Sequence, residues 1–523
     1  MAMPSDKLAT ALVALKQLQD QGLVAIRSSQ LSRTHRERLQ NSGFLAEVMK
    51  GWYIPTRPDE TQGESTAWYA SFWAFSGSYL TERFGADWCL GPEQSLSLLT
   101  GDWTVPRQLM VRSSRGGNKP LSLPHQTSIF DIRVDLPPDA DLEVRDGLRL
   151  YTLPAALVTV GPAAFQTHPV TLRTALAMIR DASDVLARLL DGGHSVVAGR
   201  LAGAFRSIGG EQIANDIVDA MRAAGYAVKE TNPFADLQPT VVSLGEPSPY
   251  VNRLGMTWQR MREQVLDHFP RPSQTSVDKD TYLRQVDDVY ITDAYHSLSI
   301  EGYRVSAELI ERVRSGSWNP DDQATDRNHR DALAARGYWL AFQRVKQSLG
   351  TILDGKNPGV VAQQDHGAWY RELFAPSVTA GILRPGDLAG YRSGPVYIRR
   401  SKHVPPRHDA VRDLMPAFFR LLQEESDPAV RVVLGHFVFV YIHPYFDGNG
   451  RMGRFMMNAM LAAGGYPWTV VPVESRSDYM AALEEASVEG NLVPFSQFIG
   501  QLVERAPVHI GVSNRAAGAP DRN

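Results

Sequence analysis

The twelve consecutive residues from His443 to Arg454 contain the side chains and the turn that are needed to transfer a phosphorus-centred group. The apolar helix predicted for residues 429–442 ends at His443, because Pro444 forces the preceding residue out of helical geometry. A glycine-rich turn then leads into a second predicted helix over residues 451–462. Unpaired backbone N–H groups and the positive end of a helix dipole therefore meet at this turn, which suits it to bind a polyphosphate.

Four side chains around the turn have complementary chemistry. Arg451 and Arg454 lie three residues apart, so both guanidinium groups can fork onto phosphate oxygens from one helix face. Asp447 offers the single carboxylate that commonly holds Mg²⁺ together with phosphate oxygens and water. His443 titrates near neutral pH and can accept a hydroxyl proton. The set predicts phosphoryl or nucleotidyl transfer, whereas an ordinary surface loop would explain each residue only by itself.

The chain around this turn has the composition of a soluble protein of about three domains, with 523 residues, 43% of them hydrophobic. Its formal net charge of -3 indicates no general attraction to nucleic acid or membrane. Its one cysteine, Cys89, excludes an internal disulfide and a multi-cysteine zinc site. No secretory signal or membrane-spanning stretch is visible, so we expect a cytoplasmic protein without a membrane partner.

Periodicity and composition divide the chain into five segments. They are a winged-helix-like domain (1–58), a mixed α/β domain (59–242), a linker rich in proline and glycine (243–277), a helical domain (278–505) and a flexible tail (506–523).

Three features of the first half give expectations that the structure can check. The basic stretch 32–38 indicates either a recognition helix on DNA phosphates or a solvated helix face. The mixed domain contains strand patterns at 108–111, 129–134 and 148–151, followed by a long helical pattern at 170–190. A glycine pair at 209–210 favours a turn between helices over a phosphate loop.

The stretch His443 to Arg454 resembles the Fic family motif His-Pro-Phe-x-Asp/Glu-Gly-Asn-Gly/Lys-Arg-x-x-Arg, and differs only at Tyr445, where Phe is usual. The resemblance implies a mainly α fold, an all-helical Fic core with a β-hairpin flap, and transfer of AMP from ATP to a Ser, Thr or Tyr hydroxyl of a target protein. Gly450 stands where the kinase-like Doc branch has Lys.

The resemblance also implies a role for each site residue. His443 would deprotonate the target hydroxyl, Asp447 would bind Mg²⁺, and Arg454 would meet the γ-phosphate. The implied nucleotide-binding residues are Asp447, Gly448, Asn449, Gly450, Arg451, Met452, Gly453 and Arg454, with Tyr479 beside adenine and Ile398 and Arg399 from the flap.

Two further segments resemble parts of the same family. Residues 390–406 resemble the flap, whose edge around 394–404 would pair with the target protein by strand addition. Ser297, Glu301 and Gly302 fit the inhibitory pattern Ser/Thr-x-x-x-Glu-Gly/Asn. Glu301 would then pair with Arg454 and deny the γ-phosphate its anchor. The same glutamate serves in some relatives to remove AMP, so it is a brake, a hydrolytic residue or both.

The N-terminal half resembles AbiEi-type antitoxin and regulator proteins through its winged-helix pattern, its exit strand Gly51–Pro55 and the mixed segment that follows. Two alternatives to an adenylyltransferase therefore stay open. One is a DNA-binding regulator or toxin–antitoxin component with a Fic module, and the other is a Fic transferase that uses another nucleotide donor. The sequence also leaves a homodimer open.

Overall fold

The computed structural model describes residues 4–58, 65–237, 248–272, 278–318 and 329–506. It contains two compact units. The first comprises Met1–Arg260 and Gly394–Leu414, and the second comprises Met261–Ser393 and Met415–Asn523. Most described residues are helical, so the prediction of a mainly α protein is confirmed.

The first unit begins with a small helical domain that carries a three-stranded antiparallel sheet in the order β1-β3-β2. The elements are α1 (Pro4–Asp20), β1 (Ile26–Arg27), α2 (Arg33–Asn41), β2 (Leu45–Met49) and β3 (Trp52–Pro55). The predicted helices and exit strand are therefore present, and leucines from α1 and α2 form their own small core.

Two of the basic side chains of helix α2 form contacts within the chain. The Arg36 guanidinium donates to the carbonyl oxygens of Ser28 and Leu31, the latter at 2.7 Å. Arg33 pairs with Glu37 at 2.7 Å. These two arginines are thus engaged in local contacts, and DNA binding by this helix stays a prediction.

The mixed region combines helices with a four-stranded sheet in the order β4-β5-β7-β6, in which β5 and β7 run parallel, and a hairpin of β8 and β9. Its elements are α3 (Thr66–Phe84), β4 (Cys89–Leu90), α4 (Pro92–Leu99), β5 (Gln108–Ser113), β6 (Pro120–Leu123), β7 (Thr127–Arg133), β8 (Leu142–Arg145), β9 (Leu148–Tyr151), α5 (Leu153–Thr159), α6 (Ala164–Thr167), α7 (Pro169–Ala177), α8 (Ser183–Asp191), α9 (Ser195–Ser207), α10 (Glu211–Ala223) and α11 (Pro249–His268).

The three predicted strands are confirmed as β5, β7 and β9, and the glycine pair at 209–210 joins α9 to α10 as expected. The single long helix at 170–190 was wrong, since α7 and α8 are separate. The carboxylate of Asp181 accepts a hydrogen bond from the Ser183 amide at 2.8 Å, which caps the start of α8.

The predicted linker over 243–277 contains helix α11 in its middle part, and the boundary between the two units, Arg260 to Met261, falls within that helix. Leu254, Trp258, Met261 and Val265 are buried at helical spacing along α11. The surrounding prolines and glycines hid this apolar stripe from composition alone. The remaining linker residues 243–247 and 273–277, like the tail beyond Ala506, lie outside the described residues.

The segment Gly394–Leu414 is part of the first unit, and it differs from the predicted β-hairpin. A tight turn is present, because the Ser401 amide donates to the Ile398 carbonyl at 3.1 Å and Arg400 has a φ of 62°. No strand is assigned within the described residues 391–410. Backbone groups here bond to other parts of the first unit, which replaces pairing between the two arms.

The second unit is a helical bundle built around two buried helices, α17 and α18, that carry the predicted site. Its elements are α12 (Lys279–Ile300), α13 (Ala307–Arg314), α14 (His329–Leu353), α15 (Pro358–Thr379), α16 (Val411–Glu424, of which the first turn is counted with the first unit), α17 (Pro428–Ile442), α18 (Asn449–Ala463), α19 (Arg476–Val488) and α20 (Val493–Arg505). Across the described helices, none combines the length and apolar character needed to cross a bilayer.

Candidate active site

His443 sits at the end of α17 in a conformation that aims its ring out of the helix. Asp427 caps the start of the helix, where its carboxylate accepts from two backbone amides, and the helix ends where His443 adopts a left-handed φ of 53° and ψ of 59°. This conformation costs about 1 kcal/mol for a residue with a side chain. The ring Nδ1 lies 3.1 Å from the Val440 carbonyl oxygen. With Nδ1 donating to that carbonyl, Nε2 is the basic nitrogen that can take a proton.

Arg392 holds the end of α17 in place. Its side chain is 2% exposed. Its Nε donates to the His443 carbonyl at 2.8 Å, and its backbone amide donates to the Pro444 carbonyl at 2.9 Å. Basic groups commonly satisfy the last carbonyls of a helix in this way. Arg392 is therefore a positioning residue. The sequence placed it at the start of the flap and did not predict its contact with His443, because no local pattern signals a contact between residues 51 positions apart.

The loop between the two helices is fastened by side chains at both ends. The Asn449 side-chain amide accepts from the Tyr445 N–H at 3.0 Å and donates to the Tyr445 carbonyl at 2.8 Å. The Tyr445 ring stacks on Tyr370 with centroids 3.6 Å apart. Tyr445, which replaces the usual phenylalanine, therefore packs in the core as expected. The Asn449 side chain is hydrogen-bonded to the loop, so the group that Asn449 can offer to a phosphate is its backbone N–H.

The start of α18 forms an anion seat. Gly448 has a φ of 80°, and a Cβ there would lie 2.8 Å from the Phe374 ring, so both conformation and space require glycine. The first bond of the helix joins the Met452 amide to the Gly448 carbonyl at 2.9 Å. The N–H groups of Asn449, Gly450 and Arg451 precede that bond, as a phosphate-binding helix start requires.

The Glu301 carboxylate lies against this seat. A Cβ added to Gly450 would be 2.3 Å from Glu301 Oε1 and 3.3 Å from Arg454 Nη1. Glycine at 450 therefore keeps open a space that a negatively charged carboxylate now fills. A helix start favours negative charge, so the carboxylate and a phosphate would compete for one position.

Arg454 is buried and bonded to the end of helix α12 and to Glu301, which follows it. Its Nε donates to Ser297 Oγ at 2.9 Å, and its Nη2 donates to the Ser297 carbonyl at 3.0 Å and to Glu301 Oε1 at 2.7 Å. Nη1 is buried without a hydrogen-bond partner. Burial opposes ionisation of Glu301, but the charges of Arg454 and Arg451 lower its pKa below the ordinary value. The pair is thus ionised at neutral pH and leaves one guanidinium nitrogen for another ligand.

Arg451 is held between aromatic rings and points toward the loop. It is 1% exposed, and its guanidinium carbon lies 5.2 Å from the Tyr303 ring centroid and 5.1 Å from that of Phe374. Its Nη2 lies 3.4 Å from Asp447 Oδ2, and its Nε is buried without a hydrogen-bond partner. Sequence reasoning missed the two rings, which fix the guanidinium by cation–π contact.

A cavity of about 380 Å³ borders the loop. Phe446, Asp447 and Arg451 contribute to its wall, together with Tyr303 and Phe374. The Asp447 side chain is 64% exposed. Its carboxylate is therefore open to a ligand from solvent.

A second layer of buried polar groups lies behind Arg454, and the sequence had not indicated it. The Tyr338 hydroxyl donates to Asp293 at 2.6 Å, and burial raises the pKa of Asp293 to about 6. His436 Nε2 lies 2.6 Å from the Tyr479 hydroxyl, and burial lowers the pKa of His436 to about 4, which keeps it neutral.

Three of the predicted nucleotide-binding residues are turned into the core, and their contact with a nucleotide stays a prediction. Tyr479 is 1% exposed and packs against His436. The Met452 side chain is fully buried. A Cβ on Gly453 would lie 2.8 Å from His436 Nδ1, so this glycine serves close packing of α18 on α17. Helical periodicity turns these residues inward, away from the anion seat.

The other predicted residues are placed as follows. His443, Asp447, Gly448, Gly450, Arg451 and Arg454 are brought together in the second unit with Ser297 and Glu301. Gly302 has a φ of 88° directly after α12. Ile398 and Arg399 belong to the first unit, and their contact with a nucleotide stays a prediction.

The donor set fits Mg²⁺ that arrives with a nucleotide. Within the described residues, no group of three or more His, Cys, Asp or Glu side chains is placed to hold a metal ion. Asp447 offers an exposed carboxylate at the loop that leads into the anion seat. Mg²⁺ is commonly held by one or two carboxylates plus phosphates and water, so these residues suit a metal–nucleotide complex better than a metal by itself.

Comparison with known proteins gives the class of this site. Residues 363–461, which include α17 and most of α18, match the model of the Fic/DOC family. The chain therefore contains a Fic/DOC domain, and the resemblance read from the motif is confirmed.

Among the relatives, the protein adenylyltransferase Fic of Drosophila melanogaster is 29% identical over 222 residues, which cover 42% of this chain and 41% of that protein. The protein of the same name from Drosophila virilis is 30% identical over 222 residues and 42% of each chain. The matched region thus spans less than half the length of either relative.

Solved structures of similar proteins include Fic-1 from C. elegans, with 20% identity, a TM-score of 0.35 and coverage of 64% of this chain and 95% of that one. Another is a Fic domain containing signaling protein from Bacteroides thetaiotaomicron, with 14% identity, a TM-score of 0.33 and coverage of 49% and 92%.

Proposed function

We propose that this chain is a protein adenylyltransferase that transfers AMP from ATP to a Ser, Thr or Tyr hydroxyl of a target protein and holds itself inactive through Glu301. The observation that carries the proposal is the Glu301 carboxylate at the start of α18, bonded to Arg454 in a space kept open by Gly450. The names of the Drosophila relatives support the AMP-transfer reaction.

The proposed chemistry uses groups that the second unit brings together. His443 Nε2 takes the hydroxyl proton, and the hydroxyl oxygen forms a bond to the α-phosphorus of ATP. The bond from that phosphorus to the bridging oxygen breaks, and pyrophosphate leaves with its electron pair. The helix-start N–H groups and Arg451 stabilise charge on the phosphate oxygens. Mg²⁺ held by Asp447 would neutralise part of the phosphate charge.

Inhibition follows from competition for Arg454. The γ-phosphate needs a guanidinium that is already bonded to Glu301 and Ser297. ATP would therefore bind without its terminal phosphate anchored, and its α-phosphorus would not be aligned with the hydroxyl. Glu301 also carries a basic oxygen beside the seat, so removal of AMP from a modified target is a second reaction to measure.

The test is automodification with α-labelled ATP and Mg²⁺. Glu301→Gly is expected to raise incorporation at least about tenfold, since a single charge-assisted bond contributes about 1.5 to 3 kcal/mol. Glu301→Gln, which keeps the side-chain size, should fall between the two. His443→Ala should abolish incorporation in both backgrounds. Activity of Glu301→Gly no higher than that of the parent would refute the brake.

A transferase that uses another nucleotide is a second candidate, and one observation favours it. Tyr479, the residue assigned to adenine, is buried in the core, and the groups at the anion seat, backbone N–H groups and two arginines, suit phosphate without selecting a base. Incubating Glu301→Gly with ATP, GTP, CTP and UTP in turn, followed by mass spectrometry, distinguishes the donors. A mass increase from ATP that exceeds the others supports AMP transfer, and a larger increase from another nucleotide supports the alternative.

A further inference from the structure

The end of helix α12 is closed by a glycine turn. Gly302 has a φ of 88°, which lets the chain fold back on the helix. The Gly302 amide donates to the Ser299 carbonyl at 3.0 Å, and the Tyr303 amide donates to the Leu298 carbonyl at 3.1 Å. The turn thereby serves the carbonyls of Ser299 and Leu298, and the Ile300 carbonyl takes its donor from elsewhere in the second unit.

Arg476, at the start of α19, supplies that donor. Its Nε donates to the Ile300 carbonyl at 2.8 Å. A positive charge at the C-terminal end of a helix also interacts favourably with the helix dipole. Ile300 directly precedes Glu301, so this bond holds the residue next to the proposed brake.

A second bond joins the same two parts of the chain. The Val473 amide donates to His296 Nδ1 at 3.1 Å. His296 and Ile300 are four residues apart and therefore lie on one face of α12. Residues 473–476, which we call the entry segment, are thus bonded to that face at two successive helical turns.

The neighbouring face of α12 meets Arg454. Ser297 and Glu301, also four residues apart, bond to its guanidinium at 2.9 and 2.7 Å. They directly follow His296 and Ile300 in the chain, so a displacement of the helix end moves both faces together. The position of the Glu301 carboxylate therefore depends on the entry segment as well as on Arg454 itself.

The two sets of contacts differ in exposure. Arg454 is 3% exposed, whereas Arg476 is an exposed residue. Water competes for an exposed hydrogen bond, so the contact made by Arg476 is weaker than the buried pair. It can therefore open while the core of the second unit stays packed.

We propose that Arg476 is a positioning residue for the brake. Its bond to the end of α12 keeps the Glu301 carboxylate against Arg454, and loss of this bond releases the brake without removing a group that binds ATP. The inference rests on the proposed adenylyltransferase function and assigns a further regulatory contact to it.

The test is automodification of Arg476→Ala with α-labelled ATP and Mg²⁺. We expect incorporation about three- to tenfold above the parent and below that of Glu301→Gly, because one exposed charge-assisted bond is lost. His296→Ala, which removes the second bond of the entry segment, should act in the same direction. In the Glu301→Gly background, Arg476→Ala should change incorporation less than about twofold, since no brake is left to position.

Asp354→Ala is the matched control, because it loosens the opposite end of α12. Lys279 Nζ, at the start of that helix, lies 2.6 Å from Asp354 Oδ2. We expect Asp354→Ala to leave automodification at the level of the parent.

A measurement without turnover separates positioning from simple destabilisation. In the His443→Ala background, Arg476→Ala should increase the rise in Tm that saturating MgATP produces and leave the rise produced by MgADP unchanged. A residue that only stabilises the fold would lower Tm by the same amount with and without either nucleotide, and that result would overturn the inference.

The outcomes separate this inference from the function on which it rests. If Glu301→Gly is more active than the parent while neither Arg476→Ala nor His296→Ala is, the inference is overturned and the transferase function stands. An equal change caused by Arg476→Ala in both backgrounds also overturns it, because Arg476 would then act independently of Glu301. The same holds if Asp354→Ala raises activity as much as Arg476→Ala. The absence of all nucleotide transfer by Glu301→Gly overturns both.

Discussion

Replacing Glu301 by Ala should lower the stability of the nucleotide-free protein while increasing its response to ATP. The substitution removes the carboxylate 2.7 Å from Arg454 Nη2 and leaves a guanidinium that is only 3% exposed. Exposed ion pairs contribute up to about 1 kcal/mol, and breaking a fully buried pair costs about 3 to 5 kcal/mol. The Glu301 side chain is 25% exposed, which places this pair between those limits. We therefore expect a loss of about 2 kcal/mol in the free energy of unfolding.

For a unit of this size, that loss lowers Tm by about 4 to 8 °C. The assay is thermal unfolding of His443→Ala and of His443→Ala with Glu301→Ala, since loss of the base prevents turnover. Saturating MgATP should raise Tm more in the double variant, because its Arg454 is open to the γ-phosphate. MgADP, which lacks that phosphate, should raise Tm in both by similar amounts. Equal Tm values without nucleotide would show that the ion pair does not form in solution, and equal shifts with MgATP would refute competition at Arg454.

Three more predictions concern residues around the site. Arg392→Lys keeps the charge but loses the bond from Nε to the His443 carbonyl, and it should lower kcat at least about tenfold with little change in MgATP affinity. A change confined to affinity would contradict a positioning role. Gly453→Ala places a Cβ 2.8 Å from His436 Nδ1 and should cost about 1 to 3 kcal/mol in chemical unfolding, whereas Gly465→Ser, with open space around its Cβ, should show only the milder strain of its φ of 74°. Asp293→Asn should raise stability at neutral pH. Burial raises the pKa of Asp293 to about 6, so the folded protein holds the proton of this carboxyl group more tightly than the unfolded chain does. The resulting contribution to the free energy of unfolding, about 2 to 3 kcal/mol, is fully present below about pH 4 and is lost as pH rises through 6. The difference between the variant and the parent should therefore shrink as pH falls to 4, and a constant difference in thermal unfolding would contradict this assignment.

The sequence predicted those features of the site that depend on residues close together in the chain. Pro444 sets the end of α17, and Gly448 sets the turn into α18, so the anion seat follows from local rules. The pairing of Glu301 with Arg454 spans 153 positions and was predicted through the family resemblance, since no local pattern could supply it.

Features that depend on packing between distant elements were not predictable in this way. The contact of Arg392 with His443 and the ring pair around Arg451 join separate helices and loops. Tyr479 was assigned to adenine through the family resemblance, and the structure shows α19 turning it inward onto His436. Similarly, α11 is defined by a buried apolar stripe inside a segment that its flanking prolines and glycines had marked as a linker.

The hydrogen bonds that position the base His443 are different from those that hold Arg454, the arginine assigned to the γ-phosphate. His443 is positioned by Arg392 and by the Val440 carbonyl, and neither contact involves Glu301. Glu301 instead bonds to Arg454 beside Gly450, at the start of α18. Release of Glu301 would therefore change how ATP is anchored without rebuilding the base that activates the hydroxyl. Because the hydrogen bonds of the base do not include Glu301, displacement of the Glu301 carboxylate from Arg454 is the step that would switch the proposed enzyme on.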